Sequence, residues 1–576
     1  MKKLLLGNEA IARGLYEAGV TYISSYPGTP STEITEAAAA YEEIYAEWAP
    51  NEKVATESAI GASLAGARSF TAMKHVGLNV AADPLFTSSY TGVNGGLVIC
   101  VADDPAMHSS QNEQDSRHYA RAAKLPMLEP SDSTECRDMA ITAYEISEQF
   151  DTPVLLRTCT RVAHSQSLVE LNERSEIALK DYVKNPSKYV MNPGFGFKRH
   201  FVVEDRLKDL ARFSETCTLN RAEMGDTSMG FVCAGSCYQY VKEVFPNASV
   251  FKIGFSFPMP LESIRAFSEK VDKLYVVEEL DGVFETELKA AGIRVDGGKD
   301  LFGCIGELSQ SKIASAMGLT AKESTAFTEP VPARPPVMCA GCPHRGVFYT
   351  LSKMKLTVIG DIGCYTLGAS APLSAVDSVV CMGASISMLH GFNTVRPDTA
   401  GKAVAVIGDS TFLHSGITAL TDIAYNRSVS TVLILDNSIT GMTGHQQNPA
   451  TGYTLKMQAV PPVSLEKVCE AVGIRRVRSE DPADLTALEN ALKEELNADE
   501  PSVIICRRPC RLLKYVKNDP PFRIDADICR GCRSCMKLGC PAIRFANGKA
   551  VIDETQCAGC GLCKQLCAFK AIKEGK

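Results

Sequence analysis

The residues best placed to do chemistry are cysteines near the end of the chain. Cys529, Cys532, Cys535 and Cys540 form one run, Cys557, Cys560, Cys563 and Cys567 a second, and the runs are offset by 28 residues. Three cysteines at two-residue gaps can wrap three corners of an iron–sulfur cube, and the fourth thiolate of each run normally ligates the other cluster. CxxC pairs also suit structural zinc, but a doubled triple-cysteine run is poor zinc spacing. The chain holds 22 cysteines in all. In a long cytosolic chain that number points to metal or redox chemistry, not to disulfides.

The two runs resemble the bacterial two-cluster ferredoxin. That resemblance implies one [4Fe-4S] cluster on Cys529, Cys532, Cys535 and Cys567, and a second on Cys540, Cys557, Cys560 and Cys563. Two positions depart from the pattern. Four residues instead of three precede Cys540, and Ala568 replaces a proline.

A second constellation surrounds Gly408-Asp409-Ser410, which ends the apolar run Ala403–Gly408. After 25 further residues Asp436-Asn437-Ser438-Ile439 ends the apolar run Thr431–Asp436. Two strand ends carrying Asp and Asn can hold one hard cation, and Mg²⁺ takes oxygen ligands that it shares with phosphates. Such ligands gather at the carboxyl edge of a parallel sheet. The alternative is a strand-end Asp that only caps a helix. The pattern resembles the thiamine diphosphate (ThDP) motif, with Ser410 in place of a glycine and Asp436 in place of the first asparagine. By that resemblance Gly408, Asp409, Ser410, Asn437 and Ile439 bind the cofactor, and the Asp409 and Asn437 side chains with the Ile439 carbonyl hold Mg²⁺.

Thiamine chemistry also needs a carboxyl group against its aminopyrimidine ring, and a desolvated carboxyl with a raised pKa does this best. In pyrimidine-binding domains of this class a Glu precedes a helical glycine by nine residues. Glu52 to Gly61 has that spacing, and so has Glu57 to Gly66; the Asn51-Glu52 pair favours Glu52. The competing reading is a solvated glutamate in a first helical turn, favoured by the helix dipole. Upstream, Tyr26 to Ser31 is a proline turn that faces substrate in the resembling enzymes, where Thr29 would contact the oxo acid.

Cys339, Cys342, Cys364 and Cys510 follow the order that holds a cluster near thiamine in pyruvate:ferredoxin oxidoreductases: a CxxC pair, a cysteine after Gly, and a distant Pro-Cys. The resemblance implies a possible third [4Fe-4S] cluster there; a zinc knuckle or free thiols are the alternatives. His344 reads as structural or phosphate-facing.

These residues need elements to position them. Short apolar strands (20–24, 96–101, 154–157) alternate with alanine-rich helices such as 52–68. The fold class expected is α/β, with several doubly wound parallel-sheet ThDP-binding domains and a small two-cluster ferredoxin domain. The expected organisation is a pyrimidine domain over 1–165, a polar linker over 166–225 and a transketolase-C-like α/β domain over 226–324. A proline-rich linker over 325–336, a diphosphate domain over 337–517 and a ferredoxin domain over 520–576 complete it.

This order, with the segments 26–31, 107–115, 339–345 and 435–446, resembles the alpha subunits of the indolepyruvate:ferredoxin oxidoreductases within the 2-oxoacid:ferredoxin oxidoreductases. The resemblance implies oxidative decarboxylation of an aryl 2-oxo acid, coenzyme A as acyl acceptor, ferredoxin as electron acceptor, and a smaller beta subunit forming a heterodimer or heterotetramer. Met442, where smaller-substrate relatives carry a polar residue, suits an aromatic side chain or simply fills core space. Net charge is −7 and the pI near 5.9, so nucleic acid is not an expected partner. No run approaches the ~18 apolar residues of a membrane span, and the apolar start is too short for a signal peptide. The expectation is a cytoplasmic protein. No Gly-x-Gly-x-x-Gly loop suggests a dinucleotide acceptor.

Overall fold

Val404, Val406, Leu433 and Leu435 pack into one buried cluster, while Ala405, Ile407, Val432 and Ile434 pack into another. Side chains alternate across a strand, so strands buried on both faces read as continuous apolar runs. The computed structural model describes residues 1–320, 329–332 and 335–575. Residues 325–328, 333 and 334 of the expected proline-rich linker lie outside the described residues. The chain divides into two units, Met1–Ala326 and Phe327–Lys576.

The second unit is built on a five-stranded sheet in the order Thr357–Ile359, Ala403–Gly408, Thr431–Asp436, Ser502–Arg507, Arg476–Glu480, parallel throughout. Gly408 is in register with Leu435, and Asp436 with Arg507. Three loops therefore leave the same carboxyl edge side by side. The cysteine-rich tail carries two antiparallel pairs, Phe522–Ile524 with Ile572–Glu574 and Ile543–Ala546 with Lys549–Ile552. Its core (Phe522, Leu538, Ile552, Leu562, Ile572) includes Leu485 from outside the tail. Gln565 accepts a hydrogen bond from Leu485 N (3.1 Å) and donates to the Ala483 carbonyl (2.7 Å).

The first unit holds a seven-stranded sheet in the order Phe255–Phe257, Met127–Leu128, Val154–Cys159, Leu97–Asp103, Ser69–Lys74, Tyr22–Ser25, Tyr45–Trp48. Only the Phe255–Phe257 edge is antiparallel. A four-stranded sheet runs Leu274–Val277, Asp226–Ala234, Ala248–Ile253, Arg221–Glu223. The α/β architecture with parallel sheets is thus present in both units.

Two local features differ from the sequence reading. The stretch 166–225, read as an irregular linker, contains the 24-residue helix Pro193–Thr216. Its buried residues are only Val203, Arg206, Leu210 and Ser214, a stripe too narrow and too polar to show as amphipathic periodicity. Asn192 starts the helix by accepting from Phe195 N (2.9 Å), with Pro193 in the first turn. The block read as beginning at 226 also lends the strand Phe255–Phe257 to the first sheet, as an edge.

Candidate functional site

Asp409 opens a helical run at the end of the strand Ala403–Gly408. The run continues through a π-helical turn, Phe412–Gly416, into the helix Ile417–Tyr425. A helix start directed at the sheet edge offers free N–H groups to an anion. Asp409 is buried, and its Oδ2 accepts from Asn448 Nδ2 at 3.1 Å. Burial, reinforced by the nearby Asp436 carboxylate, pushes Asp409 up to about 7. Asp436 itself accepts from Arg507 Nε (2.7 Å) and Ser438 N (3.0 Å).

Asn437 and Ile439 are buried on the adjoining loop. The two strand ends are tied together, Thr440 Oγ1 donating to Ser410 Oγ at 3.0 Å. Asn437 Nδ2 lies 3.4 Å from His344 Nε2, and burial drives the His344 imidazole down to about 4, so it is neutral. The structure therefore brings Gly408, Asp409, Ser410, Asn437 and Ile439 to one edge. A buried carboxylate with amide and carbonyl oxygens beside a helix start is a donor set that suits a hard divalent cation and an anion.

Four cysteines adjoin this edge. Cys510 N–H donates to the Asn437 carbonyl (2.8 Å). Gly441 lies between the two groups: a Cβ placed on it would stand 3.5 Å from Cys364 Sγ and 3.7 Å from Asn437 Nδ2. Burial raises the thiols of Cys342 (to about 12), Cys364 (to about 11) and Cys510. Neighbouring thiols push the same way: Cys339 acts on all three, Cys364 on Cys342, and Cys510 on Cys364; Asp409 adds to the rise at Cys510. Cys339, Cys342, Cys364 and Cys510 are thus gathered beside the Asp409 loop.

In the tail, Cys540, Cys557, Cys560 and Cys563 line one cavity. Cys535 is raised by burial and then by Cys532, Cys529 and Cys567, so these four also form a group. Each group takes its fourth cysteine from the other run. All 22 cysteines are unbridged. Four thiols around a cavity are the donor set of an iron–sulfur cube.

In the first unit Glu52 is buried in the first turn of the helix Glu52–Leu64, which Asn51 caps by accepting from Val54 N (2.9 Å). Glu57, the alternative with the same spacing, is exposed and pairs with Lys53. Thr29 is half-buried, and its carbonyl accepts from Ser109 Oγ at 3.4 Å. Lys74 is buried against Ser109, where burial, opposed by Asp104, lowers it to about 8. Met442 stands 52% exposed between Thr440 and Gln446, which bridge the ends of its loop.

Sequence reasoning missed Asn448, the Asp436–Arg507 pair and Arg345. The Asp436–Arg507 pair follows from the register of two neighbouring strands, which the sequence does not display. Among the described residues no helix is long and apolar enough to cross a membrane.

Residues 13–229 match the family described as pyruvate flavodoxin/ferredoxin oxidoreductase, thiamine diP-binding. Residues 361–506 match the C-terminal TPP-binding domain of thiamine pyrophosphate enzymes, and 522–568 a 4Fe-4S dicluster domain. With the geometry above, these matches define a thiamine-diphosphate-dependent, iron–sulfur oxidoreductase that decarboxylates a 2-oxo acid oxidatively and exports electrons through ferredoxin-type clusters. The chain belongs to the family of indolepyruvate oxidoreductase subunit IorA. It is 38% identical to that subunit from Archaeoglobus fulgidus (all of this chain, 98% of the relative) and 39% identical to that from Pyrococcus abyssi (all of this chain, 97% of the relative). A 2-oxoglutarate synthase subunit KorA from Archaeoglobus fulgidus is 26% identical over 48% of this chain and 88% of its own length.

Proposed function

We propose that the enzyme converts indole-3-pyruvate and coenzyme A to indole-3-acetyl-CoA and CO2. Two electrons leave singly to two oxidised ferredoxins, and the thiol proton of coenzyme A is released to solvent. The observation that carries the electron route is the position of Cys339, Cys342, Cys364 and Cys510 between the Asp409 loop and the tail. The arylpyruvate assignment draws on relatives named indolepyruvate oxidoreductase at 38–39% identity.

In this reading Asp409, Asn437 and the Ile439 carbonyl hold Mg²⁺ and, with Gly408 and Ser410, the diphosphate. Glu52 meets the aminopyrimidine ring, Thr29 contacts the oxo acid, and Met442 borders the aryl group. Cys529, Cys532, Cys535 and Cys567 carry one cluster, Cys540, Cys557, Cys560 and Cys563 another, and Cys339, Cys342, Cys364 and Cys510 a third. Bound ThDP supplies the electron sink for the carbon–carbon bond that breaks. Clusters held by these cysteines would supply one-electron acceptors. His344, held neutral by burial, orients the Asn437 amide, and the Asn448 amide does the same for Asp409. A smaller partner subunit completes the enzyme, and unbridged thiols fit a reducing, cytoplasmic setting.

The test is an anaerobic assay of the enzyme with its partner subunit, indole-3-pyruvate, coenzyme A and a viologen. Acyl-CoA with reduced viologen is expected. Free aldehyde without viologen reduction would instead make the enzyme a non-redox decarboxylase, and turnover of a different 2-oxo acid alone would overturn the substrate assignment.

A further inference from the structure

Arg345 is 2% exposed at the start of the helix His344–Met354. Its guanidinium donates to three carbonyls: Leu538 (2.6 Å), Met338 and Cys339 (3.1 Å). Nε is buried with no hydrogen-bond partner. Among the described residues no carboxylate pairs with this arginine. Three carbonyls solvate the guanidinium, but a buried cation is stabilised further by a counter-charge, and no described carboxylate supplies one.

Two cysteine groups meet at this point. Arg345 lines the cavity ringed by Cys540, Cys557, Cys560 and Cys563, and Gly341, between Cys339 and Cys342, lines the same cavity. Gly341 has φ 72°, and a Cβ on it would stand 2.6 Å from the Cβ of Ala558, which follows Cys557. The two CxxC loops therefore touch, and Arg511 Nη2 secures the contact by donating to the Ala558 carbonyl (2.9 Å).

We propose that Arg345 is the shared counter-cation of the two clusters whose cysteine loops meet at it. In that role it stabilises their reduced states and joins them electrostatically. The inference rests on the cluster assignment of the preceding subsection. A cube ligated by four thiolates is anionic and gains a further negative charge on reduction, and net charge and hydrogen bonding set its potential. A fixed cation at the contact lowers the cost of the extra electron on either side. Arg345 is in this sense a positioning residue that acts through charge, and it touches no substrate.

The test compares the full-length enzyme with R345Q and R345K, each purified and loaded anaerobically. Iron and sulfide are quantified, and the clusters are titrated by potentiometric EPR. R345Q should shift at least one cluster toward its oxidised form by about tenfold, about 59 mV for a one-electron couple, and R345K should restore most of that shift. Loss of iron in R345Q with retention in R345K also supports the charge role. Full loading with unchanged potentials in R345Q overturns the inference. So does equal loss of iron in both variants, which would assign Arg345 to holding the loop through its carbonyl bonds. Absence of sulfide from the unsubstituted enzyme would overturn the cluster assignment itself, a separate failure.

Discussion

Glu52 lies against Gly77. A methyl group on Gly77 would stand 2.5 Å from Glu52 Oε1 and 2.7 Å from its Cγ, so the missing side chain is the space that the carboxylate occupies. Gly77 is within the helix His75–Val80, where glycine is otherwise unfavourable by roughly 0.8–1 kcal/mol relative to alanine.

G77A should therefore overpack this site and lower stability by roughly 1–3 kcal/mol despite alanine's better helix propensity, while displacing Glu52 and lowering kcat. E52Q removes the carboxyl altogether and should cost about 10²- to 10⁴-fold in kcat, the usual range for a general acid–base group. Steady-state kinetics beside a melting curve separates the two. Unchanged turnover in E52Q would remove Glu52 from the chemistry.

Asp409 and Asp436 form a buried like-charge neighbourhood that a divalent cation would neutralise. D409N should fold, because it removes a repulsion, and should lose at least tenfold in ThDP affinity, about 1.4 kcal/mol. Chelation of divalent ions should have the same effect on the unsubstituted enzyme. Titration calorimetry with ThDP and Mg²⁺ measures both. Equal ThDP affinity in D409N would show that the cation is held elsewhere.

Glu279 is 7% exposed and accepts from Leu308 N at 3.0 Å. Burial raises it from the ordinary 4.5 to about 7, with Glu307 adding to the rise and Leu308, Lys299 and Arg157 opposing it. Between those two values the folded chain binds more protons than the unfolded chain. Stability therefore falls as pH rises through this window, by on the order of 3 kcal/mol at about 1.36 kcal/mol per unit. E279Q should match the unsubstituted chain below pH 5 and melt higher at pH 8. A constant difference across that range would show that Glu279 does not titrate there.

Replacing Cys342 with Ser should lower bound iron from about twelve atoms to about eight if each group holds a four-iron cube. Replacing Cys381, an exposed cysteine outside all three groups, should leave the count unchanged. Iron analysis of both variants decides it, and a C342S count equal to that of the unsubstituted chain removes the third cluster.

The strands 403–408 and 431–436 are legible because burial on both faces makes their interiors continuously apolar. The tail's two cysteine runs are legible because their cysteines recur at short, fixed gaps. Spacing alone fits both Glu52 and Glu57; the Asn51-Glu52 pair favours Glu52, and burial sets the two apart. The helix Pro193–Thr216 is not legible, since its four buried residues, two of them polar, make a stripe too narrow to read. Arg345 was not legible either: one of its partners is the carbonyl of Leu538, 193 residues away, and carbonyls leave no trace in side-chain identity. The contribution of Phe255–Phe257 to a sheet whose other strands end at Cys159 is a long-range pairing that local pattern does not encode.

Gln565 grips the Ala483–Leu485 backbone from both sides, and Leu485 enters the apolar interior of the tail. A module anchored in this way does not shuttle. Electrons crossing it travel over a frozen distance, so the internal transfer rate should be indifferent to solvent viscosity, and only the handover to a mobile acceptor should slow in glycerol.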